Sequence, residues 1–164
     1  MRHAIVYSSR TGNTRLLAEH LESLLPGAGY VGGPSPEALA AERIDVGFWT
    51  DRGTCDSGTA EFLKTLTDQE VFLFGTAGFG GDPGYFEVIL NRVKALLPQG
   101  VRVAGGWMCQ GKMPQSVRQR YEAMGARKDP VPNLPALLEN FDRALTHPDR
   151  QDLADFAEAV SRSL

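Results

Sequence analysis

Residues 4–14 read Ala4-Ile5-Val6-Tyr7-Ser8-Ser9-Arg10-Thr11-Gly12-Asn13-Thr14. An apolar run ends in hydroxyls, one glycine and one asparagine, and an amphipathic segment follows. This predicts a strand, a tight loop and a helix N-terminus. The first backbone N–H groups of a helix lack intrahelical partners and carry partial positive charge, so an anion is favoured there. Gly12 lets the chain turn closely. Ser8, Ser9, Thr11 and Thr14 offer hydroxyls, and Asn13 an amide. The loop has no lysine and no second phosphate-loop glycine, so it fits neither a Walker-type triphosphate site nor the Gly-x-Gly-x-x-Gly dinucleotide fingerprint. It suits a terminal monophosphate.

Outward from that loop, apolar runs alternate with helical patterns. Strands are expected at His3–Tyr7, Tyr30–Val31, Ile44–Trp49, Glu70–Phe74 and Val101–Trp107. Helices are expected at about Gly12–Leu25, Ser57–Leu66, Tyr85–Leu97 and Arg150–Ser163. The first carries Leu16, Leu17, Leu21, Leu24 and Leu25 as its apolar stripe. Met113–Met124 reads as an additional helix, and Arg127–Pro135 as a proline-containing loop. Strands alternating with helices imply an α/β fold, a doubly wound parallel sheet with helices on both faces. Right-handed crossovers place every strand's C-terminal end on one edge, where ligands bind.

The bulk composition agrees. The chain has 164 residues, a length suited to a single domain, with 42% hydrophobic and 23% charged residues. A net charge of −3 argues against a nucleic-acid partner. No apolar run approaches the ~20 residues that span a bilayer. Met1-Arg2-His3 leads straight into the first strand, so no signal peptide is expected. Cys55 and Cys109 form no metal spacing and read as free thiols, which points to the cytoplasm. A monomer is expected. His3, His20 and His147 show no recognisable pairing with a serine, cysteine or carboxylate. Asp51 and Asp56 read as loop solubilisers.

Two further loops belong on the edge of the first. Trp49-Thr50-Asp51-Arg52-Gly53-Thr54 follows the third strand. Gly75-Thr76-Ala77-Gly78-Phe79-Gly80-Gly81-Asp82-Pro83-Gly84 follows the fourth. Each sets an aromatic beside glycine and small polar residues, which gives a flat heteroaromatic ring a wall and a polar rim. A phosphate at one end and a ring at the other describe a mononucleotide, and FMN fits best.

The segment Ser8–Thr14 resembles the phosphate signature of the flavodoxin family, with Arg10 in a variable slot, and the element order is similar over nearly the whole chain. The resemblance implies a flavodoxin-like five-stranded sheet of order 2-1-3-4-5. It implies FMN as cofactor, with Ser9, Arg10, Thr11, Gly12, Asn13 and Thr14 around the phosphate. Trp49 would stack on the ring, with Thr50 and Asp51 following it. Thr76, Ala77, Gly78 and Phe79 would supply contacts to the pyrimidine rim, Phe79 being the second stacking ring with Tyr85 behind it. Where many flavodoxins place a glycine directly after the stacking residue, this chain has Thr50, and its first glycine there is Gly53. Arg52 would favour the anionic reduced flavin. Cys109-Gln110-Gly111-Lys112-Met113 is similar to a stretch in a divergent flavodoxin group, some of whose members are accessory to bilirubin reductase. The resemblance leaves three functions open: an electron carrier for a redox protein partner, an FMN-dependent NAD(P)H quinone-type reductase, or an accessory subunit of a larger reductase.

Overall fold

The computed structural model describes residues 1–80, 82–127 and 131–164. Gly81 of the glycine-rich loop and residues 128–130 of the proline-containing loop lie outside the described residues. Five parallel strands form the sheet: β1 (His3–Tyr7), β2 (Tyr30–Gly32), β3 (Arg43–Asp51), β5 (Glu70–Ala77) and β6 (Arg102–Gln110), ordered β2-β1-β3-β5-β6. A two-residue strand, β4 (Thr54–Cys55), pairs antiparallel with the end of β3. With β4 set aside, the order is the expected 2-1-3-4-5.

The central strands are apolar on both faces, as a sheet covered on both sides requires. Along β5, Val71 and Leu73 enter one core cluster while Phe72 and Phe74 enter the other. The first cluster is closed by α2 (Ser57–Leu63) through Phe62 and Leu63, and by α3 (Pro83–Lys94) through Ile89 and Val93. The second is closed by α1 (Asn13–Leu24) through Leu17, Ala18 and Leu21, and by α6 (Arg150–Ser163) through Phe156 and Val160. The Phe156 ring packs tilted against Phe74 and Trp107, with centroids 5.0 and 5.2 Å away. Of the expected leucine stripe on α1, Leu16 and Leu24 face solvent, so the buried stripe is narrower than the sequence suggests.

β3 and β5 interlock by a reciprocal exchange of size. Gly47 lies opposite Phe74, and Phe48 opposite Gly75. A Cβ on either glycine would collide with the facing ring. This lets two phenylalanines lie across neighbouring strands, one on each face, without forcing the ladder apart.

Several elements differ from expectation. β3 and β5 run to Asp51 and Ala77, beyond the expected Trp49 and Phe74, because their last residues still have ladder partners. A 3-10 turn at Pro36–Ala40 follows β2. Between β6 and α6 the chain inserts two helices, α4 (Gln115–Gly125) and α5 (Leu134–Ala144). The first was expected; the second is new. Pro135 sits in the first turn of α5, where its missing N–H costs nothing, so the proline that reads as a loop signal begins a helix. Arg118 joins the pair, bonding Asp142 at 2.5 Å with its guanidinium over the Phe141 ring at 5.6 Å. No helix among the described residues is long and apolar enough to cross a membrane.

Candidate functional site

The loops at the C-terminal edge of the sheet enclose a cleft of about 400 Å³, within the size range of small-molecule sites. Arg10, Thr11 and Asn13 line one end. Trp49, Thr50, Asp51, Arg52 and Gly53 form a second wall, and Thr76–Phe79 with Tyr85 a third. Gly111–Pro114 and Val117 of α4 complete it. Three loops expected to share one edge do share one cavity, joined by the segment after β6.

At the first end, Gly12 adopts φ 91°, the left-handed conformation that favours glycine, and α1 starts at the next residue. The Ser9 hydroxyl accepts from the N–H groups of Gly12 (3.1 Å) and Arg15 (3.3 Å), holding the turn. Asn13 donates its amide to the Thr11 hydroxyl (2.9 Å) and to the Lys112 carbonyl (2.8 Å). The Lys112 N–H in turn donates to the His147 carbonyl at 3.1 Å. The backbone of Lys112 is therefore held at both its N–H and its carbonyl. A Cβ at Gly111 would strike the Asn13 amide, so the two loops meet only because residue 111 has none.

Three of the expected phosphate residues do not line the cleft. Ser9 closes the turn, and Gly12 supplies its geometry. Thr14 is fully buried, its hydroxyl donating to the Phe48 carbonyl (3.0 Å) and meeting the Thr76 hydroxyl (3.2 Å). A buried hydroxyl needs a partner, and the first turn of α1 points this one across β3 into the core. Asn13 lines the cleft, but its side chain staples the segment after β6. The groups left to hold an anion are the first N–H groups of α1 that Ser9 does not take, the Arg10 guanidinium, and the Thr11 hydroxyl once it turns from the Lys112 carbonyl, to which it donates at 3.3 Å.

The second wall is a β-hairpin. Asp51 pairs with Thr54, and the two residues between them, Arg52 and Gly53, have φ 52° and 81°. Left-handed values at both positions define a type I′ turn, whose twist suits a tight hairpin. Arg52 is an unusual occupant of the first position, at a cost on the order of 1–2 kcal/mol. Arg92 of α3 donates to the Gly53 carbonyl at 3.0 Å and holds the tip down. The Trp49 carbonyl accepts from the Asp56 N–H at 3.0 Å, and the Trp49 N–H donates to the Asp56 carboxylate at 3.4 Å. The backbone after Trp49 thus stays in a ladder, Thr50 pairing with Cys55 and Asp51 with Thr54. Asp56 is a correction: it is buried, caps α2 through the Thr59 N–H at 3.1 Å, and fixes Trp49, so it is no loop solubiliser.

The ring of Trp49 carries the Arg10 guanidinium 5.5 Å from its centroid, a cation–π contact between the two ends of the cleft. Beside it, the buried Thr50 hydroxyl has no hydrogen-bond partner. An orphaned hydroxyl beside a cleft finds a partner when a bound molecule gains access to it. Arg10, Arg52 and Lys112 line the cleft against one carboxylate, Asp51, so the cleft favours anions. These features fit FMN: helix N–H groups and a guanidinium for the phosphate, aromatic walls at Trp49, Phe79 and Tyr85, and an unpaired hydroxyl toward the ring. Burial raises the Tyr85 phenol above its usual range.

Neither cysteine serves the cleft. Cys109 is buried in the second core cluster, and desolvation pushes its thiol far up. Cys55 is raised to about 11, first by burial and then by the Asp56 charge. Two histidines do pair with carboxylates, which sequence spacing did not reveal. His3 meets the buried Asp45 at the opposite sheet edge, and His147 bonds Asp152 at 2.6 Å. His147, Asp149 and Asp152 each bring one ligand atom within 4.8 Å of the others. The capping box of α6, in which each carboxylate accepts the other residue's backbone N–H, brings Asp149 and Asp152 together, and the His147–Asp152 bond adds the third.

Comparison with known proteins bears on family and fold. The family model described as a flavodoxin domain matches residues 4–161. The flavodoxin-like domain-containing protein BilS of Clostridium symbiosum is 40% identical, over 100% of this chain and 96% of that protein. Flavodoxin 2 of Bacillus cereus, in its oxidised form, superposes with a TM-score of 0.60 at 15% identity, covering 99% of this chain and 97% of its own. A Lactobacillus acidophilus flavoprotein in complex with FMN gives a TM-score of 0.54 at 15% identity, over 65% of this chain and 92% of its own. The last two likenesses show the fold.

Proposed function

We propose that this chain, which belongs to the flavodoxin family, binds FMN in the cleft at the C-terminal edge of its sheet and carries electrons between redox proteins. FMN supplies the one- and two-electron chemistry, and the protein sets its binding and electrostatics. The N-terminus of α1, Thr11 and Arg10 hold the phosphate. Trp49 and Phe79 wall the ring, and the Thr50 hydroxyl meets a polar atom of it. The hairpin and the segment after β6 keep water from the ring, while Phe79, 41% exposed, leaves one side open to a partner.

The observation that carries this reading is the chemistry of the lining. One cleft joins a helix N-terminus to an aromatic wall. Among the described residues that line it there is no histidine or cysteine, and Asp51 is the one carboxylate. Such a lining suits electron transfer, which needs no acid–base pair, better than hydrolysis or group transfer.

The test is to load the protein with FMN and add NADPH anaerobically. The oxidised flavin band is expected to persist until a separate reductase is supplied. Immediate bleaching by NADPH alone would instead make the protein an NAD(P)H-dependent reductase.

A further inference from the structure

The inserted helix α5 reaches the cleft wall through one side chain. Gly78, just past the end of β5, lines the cleft. Its carbonyl accepts two side-chain amides, Gln110 Nε2 at 3.0 Å and Asn140 Nδ2 at 2.9 Å. Gln110 Nε2 also donates to Asn140 Oδ1 at 3.0 Å. Gln110 ends β6, and Asn140 lies in α5, so three segments remote in sequence meet on one backbone oxygen. The donor inventory closes: Gln110 uses its two protons on two acceptors, and Asn140 uses one donor and its oxygen. Flipping Asn140 would set oxygen against oxygen and nitrogen against nitrogen, so this arrangement is self-consistent.

The neighbours leave that peptide little room. A Cβ on Gly78 would lie 2.6 Å from Met113 Cγ, and one on Gly80 would lie 2.8 Å from Gln110 Cβ. Neither amide-bearing residue lines the cleft, whereas Gly78 and Phe79 both do. In a trans peptide the C=O and the following N–H point in opposite directions. A Gly78 carbonyl turned to the amides therefore turns the Phe79 N–H the other way.

We propose that Gln110 and Asn140 are positioning residues for the flavin ring, clamping the Gly78–Phe79 peptide so that the Phe79 N–H is presented to a carbonyl at the ring's polar rim. The proposal rests on the FMN reading above and adds to it residues that touch no cofactor. It also gives the inserted helix pair a role at the cleft, because displacement of α5 would take away one of the two donors that hold the Gly78 carbonyl and leave Gln110 alone on it.

The experiment titrates FMN and riboflavin into wild type, Asn140→Ala, Asn140→Asp and Gln110→Ala, and records the infrared carbonyl bands of each bound flavin. Asn140→Asp keeps the acceptor for Gln110 but sets a carboxylate oxygen against the Gly78 carbonyl, and it tests the clamp should the alanine variant fold poorly. Each variant is expected to weaken FMN and riboflavin by the same factor, about three- to tenfold. A flavin carbonyl band is expected to move to higher frequency, as loss of a hydrogen bond requires. Lower thermal stability with unchanged bands and affinities would overturn the clamp and leave the amides as ties between α5 and the sheet. A loss confined to FMN would overturn it too, since the effect would then lie at the phosphate. Wild type that binds neither flavin would defeat the FMN reading itself, and the clamp with it.

Discussion

The two ends of the cleft are built in opposite ways. The anion end is one continuous stretch, Ser9–Asn13, whose turn is held by its own Ser9 hydroxyl and by Gly12 in a left-handed conformation, and which meets one distant group, the Lys112 carbonyl, through Thr11 and Asn13. The ring end is assembled from the β3–β4 hairpin, the loop after β5, the segment after β6 and a residue of α4. Two of these are held from far away in sequence: the hairpin tip by Arg92, 39 residues from Gly53, and Gly78 by Gln110 and Asn140, 32 and 62 residues away. Local sequence therefore defines where a phosphate goes, while tertiary contacts define how a ring is held. The two ends should be separable by mutation.

The largest separation is expected from Trp49→Ala. Removing the stacking wall should weaken FMN and riboflavin alike, by roughly 1–3 kcal/mol on the scale of aromatic stacking in other sites. Titration of both ligands checks this, and a loss for FMN alone would merge the two ends. Thr11→Ala should act the other way. It removes a hydroxyl from the anion end and should weaken FMN by about 1.5 kcal/mol, as for a hydrogen bond to a charged group, while riboflavin is unaffected. Thr14→Val sharpens the boundary between site and frame. Its hydroxyl bonds the Phe48 carbonyl in the core, so the variant should lose about 1 kcal/mol of stability in denaturant titration and keep the ratio of FMN to riboflavin affinity.

Arg52→Gly should give two smaller effects of opposite sign. It removes a left-handed non-glycine residue, raising stability by up to about 1 kcal/mol. It also removes a cation from the ring end, lowering the potential of the fully reduced flavin by on the order of tens of millivolts. Potentiometry that shows no shift would place the Arg52 charge out of reach of the ring. The smallest effect is expected at the thiols. Because the Cys55 pKa is raised to about 11, thiolate is scarce at neutral pH, and alkylation of the folded protein should be slow and rise as pH climbs toward that value.

Legibility from sequence follows the same division. The parallel sheet was readable because strands buried on both faces are continuous apolar runs, as in Val71–Phe74, and because the helix over Arg150–Ser163 has its apolar residues at helical spacing. Gly12 was readable because a loop entering a helix needs it. The inward turn of Thr14 was not, since a threonine at a helix start reads the same whether it faces an anion or the core. Nor was Asp56, whose role depends on a hairpin closed by Arg52 in a conformation arginine seldom adopts. Asn140 left no local signal at all, because its partners are a backbone carbonyl 62 residues away and a glutamine 30 residues away. Helix α5 itself was hidden by Pro135, a residue that breaks helices everywhere except where this one begins.

The central claim, that one cleft holds a phosphate at its helix end and a flavin ring at its hairpin end, is tested most directly by a fluorescence titration of FMN into the purified wild-type protein. Flavin emission is expected to be quenched with one-to-one stoichiometry as the ring packs against Trp49. Emission that stays at the free-FMN level through protein excess would contradict it.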